Sequence, residues 1–101
     1  MRVNESKPNS LEWLLKYADG HHQMGDTEKA IACMKDAEDR FGEYAEYLFR
    51  LGKYHAILGN VEEAKKLVKV AIEKDVLLKG DFIAFVAWAL PGNGLWFKRS
   101  L

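Results

Sequence analysis

Three histidines, one cysteine and several paired carboxylates are the residues of this 101-residue chain whose chemistry could do work. His21, His22 and His55 invite a metal or acid–base role, because an imidazole titrates near neutrality and ligates divalent metals. A zinc centre would want four well-spaced ligands, and no Cys-x2-Cys or His-x3-His pair accompanies these histidines. Cys33 would need a neighbouring base to act as a nucleophile, and as a residue beside the apolar Met34 on a helix it reads as a small apolar filler. Glu38 with Asp39, and Glu62 with Glu63, read as solvated helix faces. The stretch Pro91-Gly92-Asn93-Gly94 has glycines but no lysine-serine pair and no strand before it, so it is a poor phosphate cradle. No serine sits in a G-x-S-x-G setting. The chain is therefore predicted not to be an enzyme, with no catalytic residue, no metal site and no cofactor.

Totals narrow the classes further. The length suits one domain, and one so short leaves much of its apolar surface thinly covered unless it associates. Fifteen Lys and Arg balance fifteen Asp and Glu, so no overall field would hold nucleic acid or an anionic membrane. The balance is local rather than uniform: residues 1–46 hold ten acids and six bases, residues 47–80 four acids and seven bases. A single cysteine excludes an internal disulfide and suits a reducing compartment. The start, MRVNESKPNS, lacks the apolar core of a secretory signal. The longest apolar run, residues 82–90, is about half of the roughly 20 residues that span a bilayer. A cytoplasmic protein with no membrane or nucleic-acid partner is the expectation.

Self-comparison organises the rest. Residues 11–44 set over residues 45–78, an offset of 34, align Glu12 with Glu46, Leu14 with Leu48, His21 with His55 and Gly25 with Gly59. They also align Glu28 with Glu62, Ala30 with Ala64, Lys35 with Lys69 and Ala37 with Ala71. Each unit reads as two helices. Leu11, Leu14, Tyr17, Ala18 and His21 share one face at spacings of three and four, as do Ala30, Met34, Ala37 and Phe41 after a turn. The second unit repeats this with Tyr44, Leu48, Leu51, Gly52 and His55, then Val61, Ala64, Val68 and Ala71. Gly25 and Gly59 are placed to end a helix in the left-handed conformation, and Asp26 and Asn60 to cap the next one. Asn60 with Glu63, and Asn9 with Glu12, have the spacing of capping boxes.

The unit length and the positions Leu48-x2-Leu51-Gly52-x2-His55, Ala64-x3-Val68 and Ala71 resemble the tetratricopeptide repeat. The first unit carries the same pattern as Leu14-x2-Tyr17-Ala18-x2-His21, Ala30-x3-Met34 and Ala37. The resemblance covers about residues 9–90. It departs from the family in having leucine at the tryptophan position, histidine at the tyrosine position, and Gly42 and Val76 for the closing proline. It implies an all-α, right-handed helix-turn-helix solenoid of about five helices, with units 11–44 and 45–78, a half-unit 79–90, a tail over 1–8 and a tail or cap over 91–101. It also implies protein binding on the concave face. The positions matching that face are Glu12, Leu15, Lys16, Asp19 and His22 in the first unit, and Glu46, Phe49, Arg50, Lys53 and Ile57 in the second. The carboxylate clamp of some family members is absent, since its places hold Leu15, Asp19, Lys53, Gly80 and Ala84.

The offset places Phe82 under Leu48 and Phe85 under Leu51, so FIAFVAWALP stands where a third unit's first helix belongs. Pro91 then stops the helix with too little chain left for a second one. A helix apolar all round must be covered on several sides. The chain's own tail, a second copy or another protein's helix could cover it. The favoured reading is an adaptor or assembly factor that forms a homodimer through Phe82, Ile83, Phe85, Ala87, Trp88, Leu90 and Trp96. The alternative is a dedicated chaperone that holds an amphipathic helix or peptide of one client in the concave groove.

Overall fold

The computed structural model describes residues 10–89, with the backbone alone for residues 86–89. Within them the chain forms α1 Leu11–Gln23, α2 Thr27–Asp36, α3 Glu38–Phe41, α4 Ala45–Ile57, α5 Val61–Lys74 and α6 Leu78–Ala89. No strand is present among the described residues. Residues 1–8 and 91–101, read as tails, lie outside them, as does Asn9.

The turns form for the reason the glycines suggest. Gly25 and Gly59 have φ of 90° and 87°, the left-handed region where a Cβ is costly. At the first turn the N–H groups of Gly25 and Asp26 bond back to the carbonyls of His22 and His21, both at 2.9 Å. At the second, Gly59 bonds to Ala56 at 3.1 Å and Asn60 to His55 at 2.8 Å. Both are Schellman closures, which satisfy carbonyls that the helix end leaves open. Asp26 then caps α2 by accepting from the Lys29 N–H at 3.1 Å. Ser10, not Asn9, caps α1 through the Trp13 N–H at 3.2 Å. Asn60 holds the expected N-cap position of α5, but its side chain makes no cap bond there; its amide donates instead to Nδ1 of His55 at 3.1 Å.

The described helices number six because the second helix of the first unit is broken at Ala37 (φ −109°, ψ 14°). An unbroken helix would pair the Met34 carbonyl with the N–H of Glu38. Here that carbonyl accepts from the Ala37 N–H at 3.1 Å and from the Tyr47 hydroxyl at 2.8 Å. The residue that stands one repeat after Tyr47 is Asp81, which has no hydroxyl to offer Val68, and α5 runs unbroken through Ala71. The break swings Phe41 into the core.

Packing is between neighbours: α1 on α2, α4 on α5, with α4 also against α2 and α1, and α6 against α5. Leu14, Ala18, Ala30, Met34, Tyr47, Leu51 and Tyr54 form one core. Ala64, Val68, Ala71, Leu78 and Phe82 form the other with Phe49. The small residues allow close approach of helix axes. At Gly52 an added Cβ would lie 2.6 Å from Cγ2 of Val68 and 3.3 Å from Cβ of Leu67. Two face assignments are corrected: Tyr17 and Tyr44 are exposed, whereas Tyr47 and Tyr54 are buried.

These contacts fix the signs of three substitutions, read by chemical denaturation at low protein concentration. Gly52→Ala gains about 1 kcal/mol of helix propensity but overpacks a rigid contact, for a net loss of about 1–2 kcal/mol. Gly20→Ala, where a Cβ meets nothing within 4 Å, gains about 0.5–1 kcal/mol. Tyr47→Phe removes one donor from the buried Met34 carbonyl and costs about 1 kcal/mol.

Candidate functional site

A groove of about 550 Å³ runs between α1 and α4. It is lined by Leu11, Glu12, Leu15, Lys16 and Asp19 from α1, and by Glu46 and Arg50 from α4. The α1 members recur at three and four residues, so one helical stripe presents them together. Leu15 is largely buried and Leu11 half-buried, which makes them the floor, while Glu12, Lys16 and Glu46 stand exposed on the rim.

Asp19 is the fixed point of the wall. Its Oδ1 lies 3.6 Å from Nη1 of Arg50 and accepts from the Tyr54 hydroxyl at 3.2 Å. Its Oδ2 accepts from Nε2 of Gln23 at 2.7 Å. Burial, aided by the Asp19 charge and opposed by Arg50, pushes the Tyr54 phenol up to about 12. Tyr47 is likewise pushed up to about 12, by burial and then by Glu38. Both therefore remain protonated donors at neutral pH. The contacts of Asp19 with Arg50 and Tyr54 join α1 to α4 along the groove wall.

The other positions expected to line the concave face are employed inside the fold. Phe49 is buried against Phe82, ring centroids 6.0 Å apart. The Lys53 ammonium lies 4.8 Å from the Phe49 ring centre and 5.3 Å from that of Phe85. It joins α4 to α6 through cation–π contacts. Burial, then the nearby Arg50, pulls its pKa below the ordinary value, with Asp19, Asp81 and Glu46 acting in the opposite sense. His22 shares a hydrogen bond with Thr27 (Nδ1 to Oγ1, 2.8 Å) and packs 5.2 Å from the Tyr54 ring. Ile57 is half-buried and does not line the groove.

Of the residues assigned to self-association, Phe82 is corrected: it is fully buried within the chain. Phe85 packs beside it, ring centroids 5.7 Å apart, and Ile83 is half-buried. The side chains of Ala87 and Trp88, together with Leu90 and Trp96, lie outside the described residues.

No family model, curated protein or solved structure matches the chain.

Chemistry-bearing residues lie apart. His21 packs edge-on to Tyr17, ring centroids 5.1 Å apart, while His55 pairs with Asn60. Burial raises the Cys33 thiol pKa, with Lys29 opposing and Asp36 adding, the opposite direction from an activated thiolate. Among the described residues no group of three or more His, Cys, Asp or Glu could hold a metal, and no helix is long and apolar enough to cross a membrane. What the groove offers is apolar contact between rims of mixed charge. Leu11 packs against the first core and also lines the groove, a second role signalled by its i, i+4 relation to Leu15.

His55 supplies a pH test. Burial lowers its pKa below the ordinary 6.5, with Glu63 opposing and Lys35 adding. Well above 6.5 neither the folded nor the unfolded chain protonates it appreciably. On acidification the unfolded chain takes up a proton that the folded one resists, so stability falls. The expected outcome is that His55→Gln loses less stability than the parent between about pH 7.5 and about pH 5.5, measured by urea unfolding.

Proposed function

We propose that the chain is a non-catalytic protein-binding module. Its two helical hairpins and terminal helix stack as a tetratricopeptide-like solenoid, and the α1–α4 groove holds a peptide or amphipathic helix of a partner protein. The groove carries this reading. It draws on the first helix of each repeat, the positions from which such a solenoid would build its concave face. Its apolar floor at Leu11 and Leu15 suits one or two apolar anchors, and its mixed rim suits flanking residues of both charges. The neighbour-to-neighbour packing and the matching Schellman turns support the stacked arrangement.

Dimerisation through α6 draws less support, because Phe82 and Phe85 are already engaged within the chain. An adaptor that grips a partner and a chaperone that holds one client would use this groove alike.

Selection from a displayed library of helical and extended peptides tests the reading. The expected outcome is enrichment of sequences with apolar residues at regular spacing. Their binding should weaken at least about tenfold with Leu11→Asp or Glu46→Lys and remain unchanged with Lys66→Glu on the exposed face of α5. Selected peptides that ignore all three changes would overturn the groove as the binding site.

A further inference from the structure

Five charged residues line the groove between α1 and α4, and they do not all find partners within the chain. Asp19 is satisfied: Arg50 lies 3.6 Å from its Oδ1, which also accepts from Tyr54, while Gln23 donates to Oδ2. Glu12, Glu46 and Lys16 are left on the rim, all three exposed. Among the described residues no ion pair joins Lys16 to either glutamate. Glu12 and Glu46 hold the same place in their repeats, in the first turns of α1 and α4, and they line the groove from its two sides. An acid in a first turn complements the positive end of its own helix whichever way it faces. That does not require both to border one groove, where two like charges raise the potential for a cation between them.

A second hollow, of about 300 Å³, adjoins the first: Ser10 and Trp13 line it together with Glu12 and Lys16, which the two share. Trp13 is 58% exposed. A carboxylate beside an open indole suits a guanidinium, which pairs with the one and stacks on the other. Trp13 therefore points to the same ligand charge as the two glutamates, by a different interaction.

We propose that the partner segment held in the groove is basic as well as apolar: it sets arginine or lysine side chains against Glu12, Glu46 and Trp13, and an apolar side chain on Leu11 and Leu15. This rests on the α1–α4 groove being the binding site and adds the sign of the partner's charge. An acidic segment would meet like charge at both glutamates and find only Lys16 to pair with, since Arg50 is held by Asp19. Fifteen basic and fifteen acidic residues balance over the whole chain, so the preference is local to the groove and is screened by salt.

Three helical peptides with leucines at i and i+4, carrying arginine, glutamine or glutamate at the flanking positions, test the proposal by fluorescence anisotropy with the full chain. At about 50 mM salt the arginine peptide is expected to bind at least about fivefold more tightly than the glutamine peptide, with the glutamate peptide weakest. At about 500 mM salt the arginine advantage shrinks to about twofold. Glu12→Gln combined with Glu46→Gln removes most of that advantage and leaves the glutamine peptide within about twofold of its parent affinity. Trp13→Ala weakens the arginine peptide at least about threefold, whereas Glu62→Gln on the exposed face of α5 changes nothing. All four positions are exposed, so the variants retain the helical circular dichroism of the parent. Peptides that bind without regard to charge, yet lose affinity with Leu11→Asp, would overturn the basic preference and leave the groove standing as the site. An arginine preference that persists in the double variant would place the contact elsewhere and overturn the proposal too. If none of the three bound, the groove as a binding site would fall with it, the result expected were the groove filled by residues 1–9 of the same chain, which include Arg2 and Lys7.

Discussion

The hydrogen bond from the Tyr47 hydroxyl to the Met34 carbonyl sits where the two halves of the chain meet, and much else follows from it. It takes a carbonyl from the helical ladder of the first unit, so that helix breaks at Ala37 and Phe41 turns inward. It also fixes the rotation of α4 about its own axis. With Tyr47 turned toward α2, helical spacing places Glu46 and Arg50 beside α1 and Gly52 against α5. The groove, the tight α4–α5 contact and the Asp19 network are all consequences of that one orientation.

Both small and large residues are needed for this. Gly52 brings α5 so close that a methyl group has no place, which sets the separation within the second hairpin. Tyr54 reaches from α4 to Asp19 on α1 and so sets the separation between the hairpins. The Lys53 ammonium, lying near Phe49 and Phe85, ties α6 to the same helix. Three successive residues of α4 thus address three different neighbours, α5, α6 and α1.

Much of the fold could be read from the residues because its signals are local. The left-handed Gly25 and Gly59, the cap at Asp26 and the small residues at Ala18 and Gly52 depend on nearby chain geometry, and each behaves as its chemistry dictates. The misses share a different cause. Tyr17 and Tyr44 have core-like spacing, but no helix among the described residues covers Tyr17 and Tyr44 stands at the N-cap of α4, so periodicity alone misplaces them. The break at Ala37 depends on a hydroxyl ten residues away, which no local propensity encodes. In the groove, Leu15 and Asp19 were legible as members of a concave stripe. Phe49, Lys53 and His22 were not, because their engagement depends on partners supplied by α6 and by the turn at Thr27.

Because α2 packs on α1, α4 on α2 and α1, α5 on α4 and α6 on α5, assembly can follow the direction of synthesis. Once a growing chain has reached Phe41, α1 and α2 can meet through Leu14, Ala18, Ala30 and Met34, the part of the first core that precedes α4. The two helices then offer a surface to Tyr47 as that residue emerges, and the second hairpin in turn receives Phe82. Among the described residues the larger contacts of α1 and α2 are with each other, with α3 and with α4, so both helices can pack before α6 has emerged.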